Sequence, residues 1–215
     1  MIIGVCGFIG SGKDTIADYL VNFHEFRRDS FAGTLKDAVA AVFNWDRELL
    51  EGRTKQAREW REQIDPWWAE RLQMPDLTPR WILQQWGTEV CRKNFHSDIW
   101  VASVENKLRQ AKDDIVITDC RFYNEVLAIK NAGGITMRVE RGQRPGWYDA
   151  AVAYNKGPDG NAEWSISKSK LDKNRVHASE YSSVGLHYDH YIDNNGSIND
   201  LHVRVNQLLN LPSSN

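Results

Sequence analysis

The feature that most constrains the fold is a short apolar run that leads directly into a glycine-rich turn. Residues 1–6 read MIIGVC, residues 7–15 read GFIGSGKDT, and Ile16, Leu20 and Phe23 follow at helical spacing. This pattern predicts a strand, a tight loop and a helix. The glycine spacing does not fit the G-x-G-x-x-G dinucleotide fingerprint, which makes that use of the turn the weaker interpretation.

Residues 7–15, called the phosphate loop below, nearly match the pattern G-x-x-x-x-G-K-[ST]. Gly7, Gly12 and Lys13 match, and Asp14 stands where Ser or Thr is usual. Backbone N–H groups of such a loop bind phosphate oxygens, and its lysine reaches the β- and γ-phosphates. We expect the Asp14 carboxylate to hold Mg²⁺ directly or through water, which leaves Thr15 for the α-phosphate. The alternative is a tight strand-to-helix turn without a ligand.

Strand and helix patterns alternate along the rest of the chain. We predict strands in RRDSFA, DDIVITDC, ITMRVER and YDHYIDNNGS, a helix that stops at Gly133-Gly134, and a last amphipathic helix with apolar positions from Ile198 to Leu209. The nine tryptophans lie mostly between Trp45 and Trp100, which predicts a helical region packed by aromatic side chains. The alternation predicts an α/β fold with a mostly parallel sheet and helices on both faces.

These patterns predict one domain with three parts. The core is expected at about 1–34, 112–141 and 184–215, and a helical region at about 35–111, broken near Gly52, Pro75 and Pro79. Residues 142–183, called the lid segment below, are rich in Gly, Lys, Ser and Asn. We expect this segment to be a mobile, loop-rich excursion.

Composition excludes several classes of protein. The 215 residues carry a formal net charge of −2, so no overall basic bias points to nucleic acid. No apolar run approaches the roughly 20 residues of a membrane helix, and no signal peptide is visible. The three cysteines are widely spaced and indicate neither a disulfide framework nor a zinc site. We therefore expect a cytoplasmic protein without nucleic-acid or membrane partners.

Several charged residues could complete a phosphate site. Asp119 ends the strand IVITD, where it could orient the water shell of Mg²⁺, although an Asp there can also cap a helix. Arg121 is placed for an anionic substrate or for a salt bridge with Glu125. Further cations flank or lie in the lid segment, where they could surround a transferred phosphate or form a solvated surface: Arg138, Arg141, Arg144 and Arg175.

Seven stretches resemble bacteriophage deoxynucleoside monophosphate kinases, in the same order along nearly the whole chain: GSGKDT, FAGTLKDAV, LQQWGTEVCR, ITDCRFYNE, GGITMRVER, HASE and IDNNGSINDL. The GKDT form of the loop belongs to that family, so Asp14 is a family feature and not a defect. ITDCRFYNE and HASE are the more specific pieces, because many kinases share the phosphate loop.

The resemblance implies a P-loop kinase fold with a helical monophosphate-binding region and a lid. It implies transfer of the γ-phosphoryl group of ATP, with Mg²⁺, to a deoxynucleoside monophosphate (dNMP), and a homodimer. ATP and metal would be bound by Gly10, Ser11, Gly12, Lys13, Asp14, Thr15, Arg141 and Asn195, with Asp14 and Asp119 at the metal. The catalytic set would be Lys13, Asp14, Asp119, Arg121 and Arg175. The acceptor would be bound by Lys36, Gln85, Trp86, Arg92, Arg121, Glu125 and Glu180.

Two other functions remain open at this point. Another small-molecule kinase with a phosphate loop would share Lys13 and Asp14 but would need no base pocket in the tryptophan-rich region. A catalytically silent nucleotide-binding regulator would bind ATP and form no ADP with any acceptor. The sequence does not indicate which dNMP is accepted, because base choice depends on the shape of the pocket.

Overall fold

The structure is a computed structural model that describes residues 1–158 and 162–212. The chain divides into two compact units. The sheet unit comprises Met1–Ser30 and Lys107–Asn215, and the helical unit comprises Phe31–Asn106. In the part of the chain that is described, no helix is both long and apolar enough to cross a bilayer.

The sheet unit is built on five parallel strands in the order β2-β3-β1-β4-β5. The strands are β1 (Ile2–Gly7), β2 (Arg27–Asp29), β3 (Ile115–Ile117), β4 (Ile135–Glu140) and β5 (His190–Asp193). Its helices are α1 (Lys13–His24), α8 (Tyr123–Asn131), α9 (Tyr148–Asn155), α10 (Ala162–Lys173), α11 (Ala178–Tyr181) and α12 (Ile198–Leu209). The parallel sheet predicted from the sequence is confirmed.

Helices cover both faces of the sheet because successive strand residues point to opposite sides. On one face, Ile3 and Val5 share a buried cluster with residues of α1 and α12, among them Leu20 and Val205. On the other face, Ile129 of α8 lies over Gly4. The expected three layers are therefore present.

The described part of the lid segment, which leaves out residues 159–161, is mostly helical, and the expectation of a loop-rich excursion is wrong there. Helices α9, α10 and α11 lie within it and share a small core that contains Tyr148, Leu171 and Tyr181. The side chain of Phe8, from the phosphate loop, packs against this core. The apolar positions are sparse among Gly, Lys and Ser, so the helical period is hard to recognise in the sequence.

The last helix, α12, also departs from the sequence prediction at one end. Ile198 is exposed although its spacing places it with the apolar positions. It directly follows Ser197, whose side chain accepts a hydrogen bond from the N–H of Asp200 and caps the helix. The apolar face of α12 that reaches the core begins one turn later, at Leu201.

The helical unit consists of short helices around an aromatic core. They are α2 (Gly33–Phe43), α3 (Arg47–Glu51), α4 (Lys55–Arg61), α5 (Pro66–Leu72), α6 (Pro79–Gln84), a π-helix (Gln85–Lys93) and α7 (Ile99–Leu108), of which Lys107 and Leu108 belong to the sheet unit. The ring of Phe43 lies 4.5 Å from that of Trp45 and 4.8 Å from that of Trp68, centroid to centroid. The predicted aromatic packing is confirmed.

More helix ends occur in this unit than the sequence suggests. Asp46, Thr54, Asp65 and Thr78 each accept a backbone hydrogen bond and begin a helix. Pro79 lies in the first turn of α6, where its missing N–H costs nothing, so it starts a helix and does not break one. Gly52 ends α3 in the left-handed conformation, with φ 71°.

Candidate functional site

The phosphate loop joins β1 to α1 at the carboxyl edge of the sheet. Gly12 precedes α1 with φ 106°, a backbone conformation that favours glycine. The first helical hydrogen bond runs from the N–H of Ile16 to the carbonyl of Gly12, 3.1 Å. The N–H groups before Ile16 therefore have no acceptor inside the helix, and such groups bind anions well.

Asn194, which directly follows β5, braces this loop. Its side-chain Nδ2 donates to the carbonyl of Ser11 at 2.8 Å, and the residue is buried. A Cβ atom on Gly12 would come within 2.3 Å of the same nitrogen. A larger residue at position 12 would therefore clash with Asn194 and would also strain the backbone. Sequence reasoning misses Asn194, although its place at the end of a strand of the same parallel sheet was a usable signal.

Lys13 is held inside the loop by a neutral acceptor. Its ammonium group donates to the carbonyl of Phe8 at 2.8 Å. Burial lowers the pKa of Lys13, the charge of Asp14 opposes this, and the charges of Arg121 and Arg138 add to the lowering. These neighbours place Lys13 in a cluster of cations, which is the electrostatic environment that an anionic ligand requires.

The other loop residues differ in access to solvent. Ser11 is buried, and its hydroxyl has no hydrogen-bond partner among the described residues. A Cβ on Gly7 would lie 2.5 Å from that hydroxyl, so Ser11 fills the inside of the loop. Gly10, with φ 77°, faces open space, and Thr15 is half-buried. Their contacts with a nucleotide remain predictions.

Asp14 contacts residues of the neighbouring strand β2 and of the segment that follows β3. Arg28 of β2 forms an ion pair with Asp14 Oδ1, and the hydroxyl of Thr118 donates to the same oxygen at 3.5 Å. Thr118 follows β3 and directly precedes Asp119, which is partly buried. The two candidate metal ligands therefore belong to neighbouring segments at one edge of the sheet. Sequence reasoning misses both Arg28 and Thr118.

The donor set suits a magnesium ion that is held mainly by a nucleotide. Mg²⁺ typically takes one or two protein carboxylates and completes its shell with phosphate oxygens and water. Asp14 provides an exposed carboxylate, and Asp119 lies next to Thr118. Among residues 1–158 and 162–212, no three His, Cys, Asp or Glu side chains are grouped to hold a metal by themselves. The residues present fit such an ion.

Arg121 and Glu125 form the start of α8 together. The Glu125 carboxylate is buried and accepts hydrogen bonds from the backbone N–H of Arg121, 2.8 Å, and of Phe122, 3.2 Å. The sequence leaves a side-chain salt bridge between Arg121 and Glu125 as an alternative, and in the structure the backbone N–H of Arg121 donates to Glu125. The Arg121 residue is exposed and near enough to influence Lys13. Glu125 thus fixes the backbone of Arg121 and Phe122, and its contact with substrate remains a prediction.

The cations near the lid segment do not form one surface. Arg138 lies in β4 and is 1% exposed, with Nη1 donating to the carbonyl of Ser183 at 3.1 Å. Its guanidinium lies 4.9 Å from the centroid of the Phe8 ring. Arg138 and Arg144 both pair with Glu140, at 3.3 Å and 2.9 Å, but the Arg144 side chain is exposed. Arg138 is therefore a buried support of the phosphate loop and not part of a solvated surface.

The remaining candidates of the sheet unit lie at its surface. The exposed residues are Arg141, Arg175, Glu180 and Asn195. Asn195 accepts a hydrogen bond from the N–H of Gly142 at 2.8 Å, which joins the ends of β5 and β4. Arg175 follows α10 in the left-handed conformation, φ 52°, and Glu180 lies in α11.

In the helical unit, Lys36 lies on α2 and forms an ion pair with Glu51 at 2.8 Å. Arg47 pairs with the other oxygen of the same carboxylate, also at 2.8 Å. Burial by itself raises the pKa of Glu51, but hydrogen bonds and charge from Lys36 and Arg47 outweigh it and lower the pKa to about 2. Lys36 is therefore paired with a carboxylate that stays ionised at neutral pH.

The other three acceptor candidates of this unit share one unusual element. Gln85, Trp86 and Arg92 all lie in the π-helix Gln85–Lys93, and each is partly buried. A π-helix is rare, and π-helical turns occur frequently at functional sites. Three predicted acceptor residues thus lie in this π-helix, and their contact with an acceptor remains a prediction.

Comparisons with known proteins identify relatives of the chain. No protein-family profile matches it. A protein of Acanthamoeba polyphaga mimivirus, provisionally named a deoxynucleotide monophosphate kinase, is 33% identical over 155 residues, or 66% of this chain and 74% of that protein. The deoxynucleoside-5'-monophosphate kinase of Escherichia phage T5 is 25% identical over 186 residues, or 64% of this chain and 74% of that enzyme.

Solved structures resemble the chain more weakly. The shikimate kinase of Aquifex aeolicus has a TM-score of 0.48 at 12% identity, covering 98% of this chain and 96% of that one. A sugar kinase from Janibacter has a TM-score of 0.43 at 14% identity, covering 98% and 94%. The family assignment does not depend on these likenesses. The identity and coverage shared with the mimivirus relative, together with the phosphate loop, show that the chain belongs to the deoxynucleoside monophosphate kinase family.

Proposed function

We propose that this protein transfers the γ-phosphoryl group of ATP to a dNMP and releases ADP and a deoxynucleoside diphosphate. One observation supports this most strongly. The phosphate loop and the DCRFYNE segment, both characteristic of the family, lie at the same edge of the sheet, and Arg121 is close enough to lower the pKa of Lys13. If Lys13 and Arg121 both contact the phosphates of the nucleotide, their positive charges suit phosphoryl transfer between two anionic substrates.

The chemistry proposed needs no protein nucleophile. A phosphate oxygen of the acceptor attacks the γ-phosphorus, a new P–O bond forms, and the bond from the γ-phosphorus to the bridging oxygen of ADP breaks. The acceptor oxygen is already anionic near pH 7, so a strong general base is unnecessary. Lys13 and Arg121 neutralise charge on the transferred group, while the loop N–H groups align the donor. Bound Mg²⁺, held with Asp14 and Asp119, would neutralise further phosphate charge.

We assign binding of the acceptor nucleotide to residues of the helical unit. Lys36 and Arg92 would bind its phosphate, and Gln85 and Trp86 would contact the nucleoside. Glu180 and Arg175 of the lid segment would lie on the acceptor side, while Asn195 would approach the adenine of ATP and Arg141 would bind ATP. Closure of the lid segment would exclude water, which otherwise competes as the acceptor.

The biological setting is part of the same proposal. A dNMP kinase supplies precursors for dNTP synthesis, and the named relatives are viral. We place the activity in the cytoplasm, that of the host for a phage-encoded enzyme, without nucleic-acid partners. The homodimer implied by the resemblance is tested by sedimentation velocity.

The decisive test is a coupled assay of ADP release with each dNMP, each ribonucleotide monophosphate and a panel of phosphorylated metabolites. We expect turnover with at least one dNMP, at about 1–100 per second as is usual for kinases. Turnover only with a non-nucleotide acceptor would favour the other small-molecule kinase. ATP binding without ADP release from any acceptor would favour the silent regulator.

A further inference from the structure

Asp14 creates an electrostatic problem for a phosphate site. It lies in the first turn of α1, directly after Lys13, and its side chain is 75% exposed. In most phosphate loops this position carries a neutral hydroxyl. A carboxylate at the same place repels the phosphates of the nucleotide that we propose as ligand. The chain must compensate this charge whenever a metal is not present to do so.

Arg28 is positioned to provide that compensation. It lies in the middle of β2, paired in register with Val116 of β3, and its side chain is 17% exposed. One guanidinium nitrogen, Nη2, contacts Asp14 Oδ1 and donates to the Thr118 hydroxyl at 3.0 Å. The other, Nη1, donates to Asp18 Oδ1 at 3.0 Å. One side chain therefore connects the first two turns of α1 with the end of β3.

The contacts leave one Asp14 oxygen available. Both Arg28 and Thr118 bind Oδ1, and no contact of Oδ2 with a described residue is found. Arg28 thus lowers the net charge at the loop without covering the whole carboxylate. A simple bridge between α1 and β2 would require only Asp18, whose ion pair with Arg28 lies one turn further from the loop.

We propose that Arg28 is a positioning residue that neutralises Asp14 and holds it against Thr118, so that a triphosphate can bind beside a carboxylate. The inference rests on the nucleotide site proposed above and concerns binding of ATP, not choice of acceptor. It explains how the KDT form of the loop accommodates an anion: β2 supplies the missing cation. The same cation removes Asp14 as a competing partner for the Lys13 ammonium.

The test is a double-mutant cycle on ATP affinity, measured by isothermal titration calorimetry at low ionic strength, once in EDTA and once in Mg²⁺. The variants are Arg28→Gln, Asp14→Asn and both together. Arg28→Gln is expected to weaken ATP binding about tenfold in EDTA, because it leaves Asp14 unpaired beside the phosphates. In Mg²⁺ the loss should be smaller, since the metal supplies the compensating charge.

The double variant separates charge compensation from a structural effect. With Asp14→Asn in place there is no carboxylate to neutralise, so the double variant should bind ATP in EDTA within about twofold of the wild type. The matched control is Arg27→Gln. Arg27 is the preceding residue of β2, is 46% exposed and pairs with Asp29 at 3.1 Å and Asp113 at 3.6 Å, so its replacement should leave ATP affinity unchanged.

Two results would overturn the inference: unchanged ATP affinity in Arg28→Gln, or a double variant as weak as Arg28→Gln. If Arg28→Gln does not fold, Asp14→Asn alone decides, because it must bind ATP in EDTA at least as tightly as the wild type; weaker binding contradicts the proposal. A wild-type protein that binds ATP but phosphorylates no dNMP would refute the proposed function and leave this inference standing.

Discussion

The phosphate loop and the helical unit hold their key lysines in different ways. Lys13 donates to a neutral backbone carbonyl, that of Phe8, whereas Lys36 is paired with the carboxylate of Glu51. A carbonyl exchanges readily for a phosphate oxygen, but a carboxylate competes with the phosphate for the same cation. The loop is therefore ready for an anionic ligand, whereas Lys36, in the acceptor role proposed above, would have to loosen its ion pair with Glu51 first.

The largest effect is expected at the loop. Lys13→Ala should lower kcat by about 10²- to 10³-fold, because the variant lacks a preorganised cation beside the transferred phosphoryl group. The measurement is ADP release with saturating ATP and the preferred dNMP. The midpoint of thermal unfolding should change little, since within the described residues the Lys13 side chain contributes one hydrogen bond to the loop. Normal turnover in this variant would refute the role given to the loop.

A pair of glycine variants tests whether Asn194 braces the phosphate loop at Gly12. Gly12→Ala should cost about 2–4 kcal/mol in the free energy of unfolding, because it combines positive φ with a clash at Asn194. Gly10→Ala has a similar φ but nothing within 4 Å of the added Cβ, so about 1–2 kcal/mol is expected. Urea unfolding provides both values, and equal losses would argue against bracing by Asn194.

A change in the proposed acceptor site should alter KM for the dNMP. Lys36→Met is expected to raise KM for the dNMP about tenfold and to leave KM for ATP unchanged, because a single charge-assisted contact to phosphate is lost. Lys55→Met is the matched control. Lys55 is an exposed lysine of α4 that pairs with Glu59 at 3.6 Å, and its loss should alter neither constant. An equal rise in both KM values would show that Lys36 acts on the fold and not on the acceptor.

The smallest effect concerns the pH dependence of stability. The pKa of Glu51 is lowered from 4.5 to about 2, so its ion pairs stabilise the fold above about pH 4.5 and are lost as the pH falls towards 2. With solvent screening this is worth about 1–2 kcal/mol. Glu51→Gln should therefore lose less stability than the wild type between pH 6 and pH 3 in urea unfolding. If the wild type and Glu51→Gln lose the same free energy of unfolding over this pH range, the ion pairs of Glu51 with Lys36 and Arg47 do not stabilise the fold.

The sequence predicts the parts of this molecule whose contacts are local or periodic. The strand, loop and helix at Gly12 follow from residue spacing, and the parallel sheet follows from the alternation of elements. The support of the loop cannot be found in this way: Arg28 reaches Thr118 across 90 residues and Asn194 reaches Ser11 across 183. The helices of the lid segment are missed because few apolar residues mark them, and part of their core is supplied by Phe8.

The central claim is that Lys13 and its loop deliver a phosphoryl group to a nucleotide. The most direct measurement mixes ATP labelled with ³²P at the γ-phosphate with each dNMP in turn and separates the products, for the wild type and for Lys13→Ala. We expect label at the β-phosphate of a deoxynucleoside diphosphate in the wild type and almost none there in Lys13→Ala. Label found only in inorganic phosphate, or equal transfer by the two proteins, would contradict the central claim.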